Sequence, residues 1–311
     1  MANRAELSLR ASNVGIDPAA YANDSKLEQR VIWEERNAAD DTGTLATGTL
    51  TSDDTDMEVG DTVTVGVPGG GNERTYTFID ALTEAYATAV LTVSEQFSEG
   101  ETVSVGGVQY IFKAIPVNPN DIDIGSTAAV SLDNLKVAIN AGSGEGTAYG
   151  TGTVANPLVE ATTNTDTAQT VQALQIGVQG NGIAVSTNAA DGAWGAGLTA
   201  GGVDPVDGEV LIGAGHAAAL DNFKSAVNGT AGAGTVYATG TEAHAEVTAT
   251  TNDNTSQVLA AISYNSGNSV ATTDNDPDHL SFGAGTLTGG VPDTVGPASS
   301  AVQATSGGAR V

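Results

Sequence analysis

Residues 122–163 read IDIGSTAAVSLDNLKVAINAGSGEGTAYGTGTVANPLVEATT, and the pattern returns without a gap 88 positions later, at residues 210–251, as VLIGAGHAAALDNFKSAVNGTAGAGTVYATGTEAHAEVTATT. Counting matches over the 42 aligned positions gives 21 identities, among them Leu132-Asp133-Asn134 against Leu220-Asp221-Asn222 and Tyr149-x-Thr151-Gly152-Thr153 against Tyr237-x-Thr239-Gly240-Thr241. Chance does not produce that density of identities, so one structural unit occurs at least twice.

Working outward, each copy opens on a helical segment. Ser126 or Thr127 is placed to cap a helix with Leu132, Leu135 and Ile139 on one face; the second copy puts Leu220, Phe223 and Val227 on the same stripe, and Asn140 or Asn228 begins the stop. Thr-rich strands follow, around Val159-Glu160-Ala161-Thr162 and Val247-Thr248-Ala249-Thr250. Turns come next at Gly180-Asn181 and Gly267-Asn268, and each copy closes on an aromatic before glycine, Trp194-Gly195 and Phe282-Gly283.

A β-hairpin pattern also occurs twice: Thr62-Val63-Thr64-Val65 with Thr75-Tyr76-Thr77-Phe78, and Thr102-Val103-Ser104-Val105 with Val108-Gln109-Tyr110-Ile111-Phe112 across Gly106-Gly107. Its bookkeeping is uneven. The first hairpin has no helix after it, and the copy starting at Val210 has no hairpin before it. Both faults vanish if the first unit is interrupted after Glu84 and resumes at Asp207; the alternative, three tandem pieces with two of them truncated, leaves a lone hairpin and a unit without one, each with an uncovered apolar face. The expected class is α+β and β-rich, with units of hairpin, helix and about three strands. The expected domains are an N-terminal anchor segment at 1–44, a discontinuous outer repeat domain at 45–84 plus 207–292, an inserted repeat domain at 85–206 and a tail at 293–311.

The anchor segment differs from the repeat. Leu7 and Leu9 alternate as in a strand, Asn23-Asp24-Ser25 offers a cap, and Leu27 and Val31 have helical spacing. Five of the ten basic residues (Arg4, Arg10, Lys26, Arg30 and Arg36) lie there, which suits either docking on an acidic neighbour or an ordinary solvated helix. Residues 40–55 read as a polar linker leading into a strand, and 293–311 have the composition of a disordered tail.

The formal net charge is −27, from 37 acidic against 10 basic residues, so direct nucleic-acid binding through counterion release is disfavoured. Cysteine is absent, which removes disulfides, thiolate metal sites and cysteine nucleophiles. No apolar run has the length of a signal peptide core or a membrane span, and a soluble chain without a cleaved leader or membrane partner is expected.

Chemistry-bearing motifs are few. Asp274, Asp276 and Asp278 alternate as oxygen ligands for calcium do, but Pro277 interrupts them and no distal bidentate Glu follows, so an exposed turn is expected; Asp53, Asp54 and Asp56 are a still looser acidic turn. Pro68-Gly69-Gly70-Gly71 lacks the Lys-Ser/Thr of a phosphate loop and reads as a hairpin connection. His216, His244 and His279 are far apart, and the first two align with Ala128 and Asn156, which suggests surface positions. No serine stands in a G-x-S-x-G setting. No catalytic residue, metal or cofactor is expected.

The hairpin Thr62-Val63-Thr64-Val65 with Thr75-Tyr76-Thr77-Phe78, followed by Glu209-Val210-Leu211-Ile212-Gly213-Ala214, Ala219-Leu220-Asp221-Asn222, Tyr237-x-Thr239-Gly240-Thr241 and Thr286-Leu287-Thr288-Gly289-Gly290, resembles a Gly/Thr/Ala-rich module of tailed-bacteriophage virion structural proteins. These segments form one module only in the nested arrangement, and the resemblance covers roughly 45–292. It implies a non-enzymatic, multicopy virion component whose partners are other virion proteins and copies of itself. An anchor with acidic repeat domains suits a decoration protein on the capsid or tail exterior. A tail-tube or tail-fibre subunit, with an acidic lumen for DNA passage, is the alternative. A carbohydrate-binding adhesin recognising a host-surface glycan is the alternative of another class; 2 Trp and 7 Tyr are a thin supply for its site.

Overall fold

The computed structural model describes residues 43–52, 57–264, 267–275 and 278–291. The expected strand and helix of the anchor segment, the Asp53, Asp54 and Asp56 turn, Asp276 and the tail from 293 lie outside the described residues. What is described is β-rich: sixteen strands in four sheets of four, with two α-helices.

The strands before the first helix are β1 (Thr47–Ser52), β2 (Thr62–Gly66), β3 (Arg74–Ile79), β4 (Tyr86–Val93), β5 (Thr102–Val105), β6 (Val108–Lys113) and β7 (Asp121–Asp123). Helix α1 (Ala128–Ile139) precedes β8 (Val159–Thr165), β9 (Ala168–Ile176), β10 (Val185–Thr187), β11 (Gly192–Trp194) and β12 (Glu209–Leu211). Helix α2 (His216–Asn228) precedes β13 (Val247–Asn252), β14 (Ser256–Ala261), β15 (Ala271–Asp274) and β16 (Leu280–Phe282).

Both hairpins form as the alternation predicts, β2 with β3 (Thr62 opposite Thr77) and β5 with β6 (Thr102 opposite Ile111). The second turns on Gly106 and Gly107, both left-handed at φ 59° and 83°, the backbone that a two-residue primed turn demands. The sheet orders match one for one. β13-β14-β1-β16 repeats as β8-β9-β4-β11, and β12-β3-β2-β15 repeats as β7-β6-β5-β10. In both, the short strand before the helix lies parallel to the returning hairpin strand, β12 beside β3 and β7 beside β6.

The core divides the same way. One cluster gathers Leu50, Val63, Phe78, Val210, Phe223 and Leu259, among others, from both sides of residues 85–203; the other gathers Leu91, Val105, Phe112, Ile122, Leu135 and Val171 from within them. Each cluster is closed by two sheets and one helix, and each fully buried aliphatic or aromatic side chain contributes about 1.5–3 kcal/mol. Aromatic pairs sharpen the packing: Tyr76 stands edge-on to Phe223 at 5.1 Å, and Phe97 stacks on Phe112 at 3.8 Å. We call the strands and helix around the first cluster the split set and those around the second the continuous set.

Each set has eight strands rather than the five expected. The missed ones include three-residue strands, too short to show a period. β1 hides in the expected polar linker because Leu50 and Ser52 are its buried residues. β4 alternates without fault, but its inward side begins with Ala87 and Ala89, a weak apolar signal.

Candidate functional site

The polar residues identical in both copies are where repeated chemistry would be sought, and the structure gives several of them a structural task. Asp133 accepts from Asn164 Nδ2 at 2.6 Å, and Asp221 from Asn252 Nδ2 at 2.5 Å, tying helix to sheet. Asn134 Nδ2 donates to the Asp123 carbonyl at 2.9 Å, and Asn222 Nδ2 to the Leu211 carbonyl at 2.8 Å. At the helix ends, Asn140 exchanges two hydrogen bonds with the Ala161 backbone, donating and accepting at 2.8 Å, and Asn228 does the same with Ala249. The Tyr149 hydroxyl donates to the Gly142 carbonyl and the Tyr237 hydroxyl to the Thr230 carbonyl. Thr153 Oγ1 accepts from the Asn120 amide at 2.8 Å, and Thr241 Oγ1 from the Gly208 amide at 3.1 Å.

Two buried glutamines complete the pattern. β8 and β13 each carry a bulge, and Gln169 and Gln257 donate to the Thr163 and Thr251 carbonyls beside it, at 3.3 and 3.2 Å. A bulge leaves a backbone group out of the ladder, and here a side chain supplies its partner.

The histidines do not come together. His216 is half-buried at the start of α2, and His279 Nδ1 lies 3.6 Å from the buried Asp61 carboxylate. His244, expected at the surface from its alignment with Asn156, is buried at 6 % exposure. Its Nε2 lies 3.0 Å from the Val65 carbonyl, and its Nδ1 accepts from the Glu246 amide at 3.1 Å. These partners select the neutral ring with the proton on Nε2, and burial pushes its pKa down. Asn156 makes the same contacts with other atoms: Nδ2 donates to the Val105 carbonyl at 3.0 Å, and Oδ1 accepts from the Leu158 amide at 3.0 Å. The position is replaceable because two chemistries satisfy one pair of backbone groups, which is a different matter from being exposed.

Of the calcium candidates, Asp274 is half-buried and Asp278 exposed. Asn275, between them, accepts from the Thr62 amide at 2.6 Å and donates to the Gly60 carbonyl at 3.0 Å, clamping the turn to the start of β2. Asn188 accepts from Thr102 in the same way in the other set. Among the described residues no group of three or more acidic or histidine side chains is placed to hold a metal ion. The glycine-rich connection 68–71 is a tight turn, with the Gly70 amide on the Val67 carbonyl at 2.8 Å.

The hollow that sequence reasoning missed lies beside Arg74, about 500 Å³ in volume, walled by Asn72, Thr75, Asp207, Glu242 and His244. It is open and polar, and its charged groups face one another. Arg74 donates to the Glu242 carbonyl and lies 3.6 Å from Asp207, while Glu246 accepts from the Val67 amide at 2.9 Å. Below it Tyr76 is fully buried, and desolvation raises its pKa to about 12. Arg74 aligns with Val108 of the other hairpin, so no repetition could have announced it.

No family model matches this chain, and a search of curated proteins finds no significant match. Among the described residues, no helix is long and apolar enough to cross a membrane.

Proposed function

We propose that this chain is a non-enzymatic structural protein of a tailed-phage virion, a multicopy decoration protein on the capsid or tail exterior. In this reading a discontinuous domain, 45–84 plus 207–292, carries a homologous domain, 85–206, inserted into one of its connections. The observation that carries the reading is that Asp133, Asn134, Asn140, Tyr149 and Thr153, with their counterparts in the second copy, are engaged in holding helix, strand and turn together. A unit repeated for its shape rather than its chemistry is what a coat protein needs.

Three further observations support it. Chain entry and exit are paired in both sets by equivalent two-way bridges: Thr44 and Val291 exchange backbone hydrogen bonds at 3.2 and 3.0 Å, and Ala85 and Val203 at 3.0 Å each. Paired ends are what allow one unit to sit inside another without distorting its host. The net charge of −27 keeps such an exterior from adhering to nucleic acid. Among the described residues Tyr86 is the one exposed aromatic, which offers an adhesin little to stack on a sugar.

The test is immunogold electron microscopy of purified particles with antibodies raised against residues 85–203. Regular labelling of the head or tail exterior is expected. Particles that contain the chain by mass spectrometry but label only after tail disruption place it in the tube wall. Absence of the chain from particles, or hydrolysis of a polymer by the purified protein, overturns the reading.

A further inference from the structure

The cores of the two sets are separate clusters, and the principal packing between elements runs within each set. Parts of a chain joined without a broad apolar interface are expected to move against one another. The two connections that join these sets, from β3 into β4 and from the end of the continuous set into β12, oppose that expectation.

On the way in, the Thr83 amide donates to Glu209 at 2.9 Å and its hydroxyl to the same carboxylate, and Glu84 accepts from the Thr239 amide and hydroxyl at 3.0 Å each. The continuous set caps its equivalent loop from inside, with Glu145 accepting from the Gly152 amide at 2.7 Å; the split set has Ala233 at that position, and Glu84 fills the role from the connection. The next residue, Ala85, already belongs to the other side. It exchanges backbone hydrogen bonds with Val203 at 3.0 Å each and accepts from the Gly177 amide at 3.1 Å, so the crossing is a single peptide bond.

On the way out, Asn181 exchanges two hydrogen bonds with the Gly202 backbone at 2.9 and 3.0 Å, and Asp204 accepts from the Val178 amide at 2.8 Å, so the chain is held to the continuous set through Asp204. From Val206 onward it is held to the split set. The Val206 carbonyl accepts from the Glu209 amide at 3.3 Å, Asp207 lies 3.6 Å from Arg74, and the Gly208 carbonyl accepts from the Thr77 amide at 2.9 Å. Pro205 alone stands between, and its ring fixes φ.

Either connection by itself would let the sets swivel. Together, with the Ala85–Val203 bridge on one side and the split set on the other, they close a ring in which the rotations left free are ψ of Glu84, φ of Ala85 and those next to Pro205. Closing a ring fixes as many quantities as a rigid body has degrees of freedom, which is more than these rotations supply. We propose that the paired connection is a slack-free joint that fixes the orientation of residues 85–203 against the rest of the chain without relying on a packed interface. A joint of this kind presents one unit at a set angle from the other. It rests on the bonding of the two connections and not on the virion reading, so either can fail alone.

The chain has no cysteine, so pairs of spin labels can be introduced at chosen positions of the full chain. Double electron–electron resonance between Asp166→Cys, on the exposed β8–β9 turn, and Asn254→Cys, on the exposed β13–β14 turn, reads the distance across the joint; Asp166→Cys with Ser143→Cys, both in the continuous set, is the control. The cross-joint distribution should be single and as narrow as that of the control. Inserting Gly-Gly-Ser-Gly after Pro205 adds roughly 10 Å of reach to one arm and should widen the distribution about twofold or more. Glu84→Ala/Asp204→Ala, which releases one residue on each arm, should widen it less. A wild-type distribution as broad as that of the insertion variant, an insertion variant as narrow as the wild type, or a double substitution without effect overturns the joint. The control pair is recorded in every variant; should the double substitution unfold, the insertion decides alone, because it replaces no bonded residue.

Discussion

His244 and Asn156 occupy one position in two copies and solve one problem: a strand carbonyl on one side and a backbone amide on the other must be satisfied away from water. The imidazole does it in the neutral state with both ring nitrogens engaged. His244→Asn should therefore leave folding nearly intact, whereas His244→Ala strands both backbone groups and should cost about 1–3 kcal/mol in urea unfolding. The pH dependence follows from the depressed folded pKa. Stability from the neutral ring is fully present above the ordinary histidine value of 6.5, and is lost as pH falls below it towards the lower folded pKa. Unfolding measured at neutral and at mildly acidic pH should show this loss in the wild type, and His244→Asn should remove that component. Alignment alone pointed His244 to the surface, because tolerance of two residue types resembles indifference. The backbone groups that impose the tolerance belong to other segments and are invisible in a single aligned column.

At the level of elements, helix and sheet are tied by side chains that propensity does not reveal. α1 starts on Thr127, whose hydroxyl accepts from the Val130 amide at 3.3 Å, and Leu132, Leu135 and Ile139 are buried as their spacing predicts. α2 begins at Gly215 without such a cap, and relies on the Phe223 and Val227 face packed in the core. Asn140→Ala and Asn228→Ala should each cost about 1–3 kcal/mol, because each deletes two hydrogen bonds to one strand residue. Chemical denaturation of each variant checks this, and similar losses are expected since the geometry is duplicated. Gly150 faces a different constraint: a Cβ there would stand 1.8 Å from the Asn118 carbonyl oxygen, on the backbone of the β6–β7 connection. Gly150→Ala should lower the thermal midpoint and increase amide exchange at 114–120, since backbone must move to admit the methyl group. Neither effect was legible in advance, because Gly150 was one of 40 glycines and its neighbour lies in another loop.

For the whole molecule, the division of the core into two clusters has a direct consequence. The ends of the continuous set are held together by the Ala85–Val203 bridge, so residues 85–203 should fold cooperatively when expressed alone. The remainder, closed by a short Gly-Ser connection, should keep the parallel pairing of β3 with β12. Circular dichroism and urea titration of both pieces check this; an unfolded piece would mean that the two clusters depend on each other. The parallel pairing of Ile79 with Leu211 is one of the long-range pairings that close the split set, alongside those of β1 with β14 and β16 and of β2 with β15.

The sequence by itself determined that one unit is repeated, which strands pair locally into hairpins, which helical faces are apolar and that no cysteine chemistry is available. Each of these rests on composition or on spacing within a few residues, where alternation and helical period act directly. Only the tertiary structure decided the eight-stranded, two-sheet make-up of each set and the buried roles of Gln169, Gln257 and His244. The same holds for the hollow beside Arg74 and for the two short crossings at Glu84 and Pro205. Those depend on contacts between distant segments, whose partners are chosen by strand pairing and core closure rather than by any property of the residues taken in order.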